Sequence, residues 1–203
     1  METNEATWVA QARAGDRGAF SSLVESYRVP VYNLAYRMLG SASEAEDAAQ
    51  EAFIRAYTRL HTYDPSRRFS SWLLAITSHY CIDVLRKRRI QTLPLDELPP
   101  SAELAMPRAT QPEQVVVRRQ NTRAVQALLN VLAPDYRTPV ILRYWYDMSY
   151  REIAETMGLN EGTVKTRLYR ARLKLAHHAQ NTTTNALPWH ARNESTALVE
   201  DAA

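Results

Sequence analysis

The residues of this 203-residue chain whose types and spacing suggest chemistry most directly lie toward its C-terminal end. Residues 149 to 175 read SYREIAETMGLNEGTVKTRLYRARLKL. Ser149 and Glu152, three residues apart, form a capping box that opens a short helix with Ile153, Ala154 and Met157 inward. Gly158 supplies a left-handed turn, Leu159 plugs the corner and Asn160 caps a second helix. That second helix would turn Val164, Leu168 and Ala171 to a core. It would leave Glu161, Thr163, Lys165, Thr166, Arg167, Arg170, Arg172 and Lys174 toward solvent. Short polar side chains at the first turns can reach base edges in a major groove, while long basic ones at the flanks meet phosphates. The same pattern would also suit a solvated helix in an ordinary helical hairpin, but cap, turn glycine, corner leucine and charge all agree with DNA binding.

These helices need a scaffold, and the apolar spacing supplies one. Phe20, Leu23, Val24, Tyr27, Val31, Leu34, Ala35 and Met38 recur at three- and four-residue intervals, which predicts a helix over 17–39 that Pro30 kinks. Ser43-Glu44-Ala45-Glu46 reads as a capping box for a helix with Ala45, Ala48, Ala49, Ala52, Phe53, Ala56 and Leu60 inward. Asp64-Pro65-Ser66 breaks the run. A third helix is expected over about 70–89, ending in the basic run Arg86 to Arg89, which complements its dipole. Residues 91–113 carry five prolines, at 94, 99, 100, 107 and 112, and read as an extended acidic linker. Helical spacing resumes from Val115 to about Leu132, and Pro134 starts another helix through Tyr146. Strand alternation and glycine-rich phosphate loops are absent, so the expected fold is all-α with two helical domains. The expected divisions are 1–7 as a flexible N-terminus, 8–90 and 114–178 as domains, and 179–203 as a disordered tail.

Composition narrows the functional classes. Apolar residues make up 45% and charged residues 23%, the balance of a folded soluble protein. No apolar run approaches the length of a spanning helix, and METNEATW lacks an apolar leader core, so a cytoplasmic protein without direct membrane insertion is expected. The net charge of +3 is unevenly spread: residues 114–179 carry eleven basic and five acidic side chains, the linker one and four. A basic module beside an acidic connector suits a nucleic-acid binder. Five histidines, one cysteine and scattered carboxylates form no metal or nucleophile spacing, so no catalytic residue, metal site or cofactor is expected.

Residues 133–175, APDYRTPVILRYWYDMSYREIAETMGLNEGTVKTRLYRARLKL, resemble region 4 of the extracytoplasmic-function (ECF, group IV) sigma factors of the sigma-70 family. AEDAAQEAFIRAYTRL at 45–60 resembles region 2.2, and FSSWLLAITSHYCIDVLRKRR at 69–89 resembles regions 2.3 and 2.4. The resemblance spans about residues 8–178 and implies a non-enzymatic factor that binds core RNA polymerase, recognises minus-35 and minus-10 elements and promotes melting. In it, Asp47, Gln50, Glu51 and Ile54 would meet the clamp helices of the polymerase, a role their shared helix face permits. The loop at about 61–71 with Trp72, His79, Tyr80, Asp83, Arg86, Lys87 and Arg88 would hold the single-stranded minus-10 element, since an extruded base needs polar edges, aromatic neighbours and cations. Trp72 and Tyr80 are equally suited to a core, and Asp83 to anchoring Arg86 or Lys87. His79 stands where the family most often has asparagine. Glu161, Thr163, Lys165, Thr166, Arg167 and Arg170 would read duplex DNA at minus-35. An anti-sigma factor is a further partner the resemblance leaves room for. The rival reading is a dimeric helix-turn-helix repressor or activator that needs a palindrome and no polymerase.

Overall fold

The computed structural model describes residues 2–91 and 122–186, and all regular structure among them is helical. The linker expected at 91–113 falls outside these residues apart from Gln91, as do residues 115–121 of the helix expected to start at Val115.

The N-terminal unit contains α1 (Glu2–Arg13), α2 (Arg17–Leu39), α3 (Ala42–Arg59) and α4 (Phe69–Gln91), with a 3-10 turn at Leu60–Thr62. Asp16 caps α2, its carboxylate accepting from the amides of Gly18 and Ala19, and Gly40 closes it at φ 79°. The expected span 17–39 therefore holds. α3 begins two residues earlier than the capping box at Ser43 suggested: the cap is Ser41, whose hydroxyl accepts from the Glu44 amide. Its inward face is a seam of small residues, with Ala45, Ala48, Ala52 and Ala56 fully buried and Ala49 and Phe53 only partly so. Small side chains let α3 lie close against α2 without forcing other rotamers.

The expectation of a flexible segment at 1–7 is corrected by α1, which is helical from Glu2. Trp8, Val9 and Ala12 pack into the cluster formed by Leu23, Phe69 and Leu73, and the Tyr27 hydroxyl donates to Glu5. Burial and the Glu5 carboxylate together push the Tyr27 pKa up.

The C-terminal unit contains α5 (residues 122–130), α6 (Pro134–Trp145), α7 (Tyr150–Met157) and α8 (Glu161–Ala186). α8 continues past the expected boundary at 178, so residues 179–186 are helix rather than tail. The rest of the expected tail, from 187, lies outside the described residues.

One apolar cluster joins the units. Leu34, Ala35 and Met38 of α2 and Leu74, Cys81 and Ile82 of α4 belong to the same buried group as Ile141, Leu142, Ile153, Val164 and Leu168. An extended linker between separate modules did not foretell this packing. Cys81 is fully buried within the cluster, and desolvation pushes its thiol up to about 12.

Candidate nucleic-acid and polymerase interfaces

The helix-turn-helix forms as its sequence dictates. The Ser149 hydroxyl accepts from the Glu152 amide at 3.2 Å while the Glu152 carboxylate accepts from the Ser149 amide at 2.8 Å. That backbone hydrogen bond, with smaller help from the Ser149 hydroxyl and Arg68, holds the Glu152 carboxyl below its ordinary range. Gly158 adopts φ 65°, the left-handed conformation that a side chain resists, and Leu159 packs partly buried beyond it. Asn160 caps α8, its side-chain oxygen accepting from the Thr163 amide at 2.8 Å and the Thr163 hydroxyl at 2.9 Å. Val164, Leu168 and Ala171 are buried as expected, and so is Thr156, which the pattern did not single out.

On the outer side of α8, Glu161, Lys165, Thr166 and Arg170 are exposed and Thr163 is half-buried. The Thr166 hydroxyl donates back to the Gly162 carbonyl. Arg167 departs from the expected solvent position: its side chain is 24% exposed and lies 4.0 Å from the Asp135 carboxylate, also donating to the Asp135 carbonyl. A groove of about 450 Å³ runs over these first turns, bounded by Tyr136, Asn160, Thr163, Thr166, Arg167 and Arg170. Amides at a helix start and two guanidiniums favour an anion such as a phosphate there.

On α3 the seam of buried alanines leaves Asp47, Gln50 and Ile54 exposed together, with Ile54 at 59%. Glu51 is half-buried and pairs with Arg55 at 2.7 Å. Tyr57, three residues beyond Ile54, extends the patch at 42% exposure and packs edge-on against Phe20. The sequence reading missed Tyr57, although its spacing from Gln50 and Ile54 carried the signal. An exposed isoleucine and tyrosine beside carboxylates suit a protein partner better than a nucleic acid.

The residues expected around minus-10 do not all gather on one surface. His79, Asp83, Arg86 and Lys87 form an exposed stripe on α4. Trp72 is partly buried and packs on Tyr63 and Phe69, with ring centroids 5.3 and 5.6 Å away. Tyr80 lies under the Arg55 guanidinium at 4.8 Å, and Arg88 pairs with Glu44, so both turn toward α3. The loop before α4 faces α7 across a cleft of about 440 Å³. Asp64 fixes that loop by accepting from the Ser66 amide, which holds its carboxyl below the usual range. Among the described residues no His, Cys, Asp and Glu side chains cluster as a metal site would require, and no helix is long and apolar enough to cross a membrane.

The family model for sigma-70 region 2 matches residues 23–90, and that for sigma-70 region 4 matches residues 122–175. The chain is 38% identical over 169 residues to the ECF RNA polymerase sigma factor SigW of Bacillus subtilis (strain 168), covering 81% of this chain and 90% of SigW. It is 35% identical over 180 residues to the ECF RNA polymerase sigma factor SigE of Mycolicibacterium smegmatis, covering 85% of this chain and 68% of SigE. The solved structure of CnrH in complex with the cytosolic domain of CnrY superposes with a TM-score of 0.66 at 25% identity, covering 88% of this chain and 98% of that one.

Proposed function

The chain belongs to the ECF sigma factors of the sigma-70 family, alternative initiation factors that act with RNA polymerase on promoter DNA, and we propose how its two units divide that work. The N-terminal unit, residues 8–90 with α1 added, grips core polymerase through Asp47, Gln50, Glu51, Ile54 and Tyr57. The α4 stripe of His79, Asp83, Arg86 and Lys87, with Trp72 and the loop before it, holds the separated minus-10 strand. Tyr80 and Arg88 support that stripe from the α3 side. The C-terminal unit, residues 114–178 extended to 186, reads duplex DNA at minus-35. Glu161, Thr163 and Thr166 reach base edges, while Lys165, Arg167 and Arg170 take phosphates and guanines. The chain works in the cytoplasm, supplies no catalytic group, and leaves phosphodiester chemistry to the polymerase. CnrH was solved with the cytosolic domain of CnrY, and a restraining anti-sigma protein is likewise a partner we assign to this chain.

The observation that carries the reading is the start of α8. Asn160 closes its first turn while Arg167 and Arg170 line a groove open to an anion. Replacing Lys165, Arg167 and Arg170 together by alanine should abolish minus-35 protection in holoenzyme while leaving association with core polymerase intact. Undiminished promoter binding by that variant would remove the assignment. A dimeric repressor is disfavoured because it has no use for a region 2 unit with an exposed α3 patch.

A further inference from the structure

Two buried aromatic residues stand at the ends of an otherwise exposed loop. Tyr63 is 6% exposed and Phe69 2%, while Asp64, Pro65, Ser66, Arg67 and Arg68 between them all face solvent. The two rings meet edge to face at 5.5 Å, so the loop leaves the core and returns to it at one point. Trp72, in the first turn of α4, packs on both rings, and Tyr27 of α2 closes on Phe69 at 5.5 Å.

Apolar packing accounts for the rings but not for the hydroxyl of Tyr63. That hydroxyl donates to the Arg67 carbonyl at 2.5 Å, across the mouth of the loop. The Arg67 amide donates to the Asp64 carbonyl at 3.1 Å, and the Ser66 amide to the Asp64 carboxylate at 3.0 Å, so the tip is tied as well. No peptide bond among the described residues is cis. Holding the Arg67 carbonyl toward Tyr63 therefore turns the Arg68 amide, on the opposite edge of the same peptide, away from the rings. The side chains of Arg67 and Arg68 also reach Glu155 and Glu152 of α7, at 3.5 and 3.6 Å, but those pairs are exposed and screened by water and salt. The hydroxyl bond, anchored on a buried ring, is the firmer constraint. A loop that can re-pack accepts several ligands, whereas one held in a single shape rejects the misfit.

We propose that Tyr63 is a positioning residue for the minus-10 element: its hydroxyl holds the loop in the one shape that accepts a particular unpaired base. Base preference is then set through a side chain that touches no DNA. This deepens the minus-10 role assigned above and rests on it. The cations of the loop and of α4 attract any strand, and the brace decides which base stays.

The test uses holoenzyme made from the full chain and core polymerase, acting on a promoter library randomised across the minus-35 and minus-10 elements, with the transcripts sequenced. Tyr63→Phe keeps the ring and removes only the hydroxyl. We expect one minus-10 position to lose its preference by about fivefold, the order of one hydrogen bond. Preferences at the other minus-10 positions and at minus-35, and affinity for core polymerase, should stay as in the parent. Asp64→Ala, which takes the acceptor from the Ser66 amide, should flatten the same position. Asp64→Asn, whose side-chain oxygen still accepts, should restore it, although both changes remove the charge. An equal loss at every position in Tyr63→Phe overturns the proposal, because the hydroxyl then only supports the fold. Asp64→Asn that behaves like Asp64→Ala overturns it too. A favoured minus-10 base that Tyr63→Phe leaves intact refutes the proposal alone, whereas parent transcripts without any favoured minus-10 base refute the promoter role of the loop and the proposal with it. If Tyr63→Phe fails to fold, judged by circular dichroism and by binding to core polymerase, the exposed Asp64 pair decides by the same criteria.

Discussion

The guanidinium of Arg137 donates to the carbonyl of Met38 at 2.5 Å, joining α6 to the C-terminal end of α2 inside the buried cluster. The same side chain donates twice to the Leu132 carbonyl, just beyond α5, at 3.1 and 3.3 Å. A buried cation normally needs a counter-charge. Here it is met by carbonyls near two helix C-termini, where the peptide dipoles place partial negative charge. Desolvation, with the nearby Arg88 charge adding to it, lowers the Arg137 pKa without neutralising the group.

Removing that fork leaves two buried carbonyls short of donors. Arg137→Ala is expected to cost about 1–3 kcal/mol, read as a lower urea midpoint. Arg137→Lys should not restore it, because a single ammonium cannot reproduce a planar fork across two acceptors.

The capping box of α7 predicts a pH dependence. The folded Glu152 carboxyl titrates below its ordinary value of 4.5, so its contribution is fully present above that pH and is lost as pH falls through the lower folded value. Thermal melts of parent and Glu152→Gln should differ most near neutral pH and converge in acid. A constant difference down to about pH 3 would contradict this.

Burial makes Cys81 unreactive. With its thiol pushed up to about 12 and no exposed surface, it should resist a disulfide reagent in the native state and react quickly once denaturant is added. Rapid modification of the folded chain would show that the cluster around it opens readily.

The α3 patch separates binding from folding. Because Ile54 is 59% exposed, Ile54→Asp should leave the melting temperature nearly unchanged. It should weaken association with core polymerase at least tenfold, about 1.4 kcal/mol, as measured by competition against the parent. An equal affinity would move the polymerase contact off this face.

Much of this molecule is legible in its residues because local signals agree with one another. Asn160, Gly158 and the Ser149–Glu152 pair specify the helix-turn-helix without tertiary context, and the structure forms every bond they imply. The alanine seam of α3 likewise fixes which face remains outward. α1 escaped notice because only Trp8, Val9 and Ala12 anchor it, too few to give a clear period. Ser41 and Ser43 both precede carboxylates at capping distance, and only the backbone chooses between them. The split of the α4 set was hidden for a different reason: the partners that turn Tyr80 and Arg88 aside, Arg55 and Glu44, lie on another helix. Contacts across the units, such as Arg137 to Met38, are 99 residues apart and leave no periodic trace.

The most direct test combines the purified chain with core RNA polymerase and a library of promoter fragments, followed by sequencing of the transcripts. The account requires a stable complex and transcripts whose start sites share spaced minus-35 and minus-10 elements, the transcripts alone being lost when Lys165, Arg167 and Arg170 are replaced together, and complex and transcripts both when the α3 patch is disabled. Specific DNA binding without polymerase, and no transcript with it, would contradict the account.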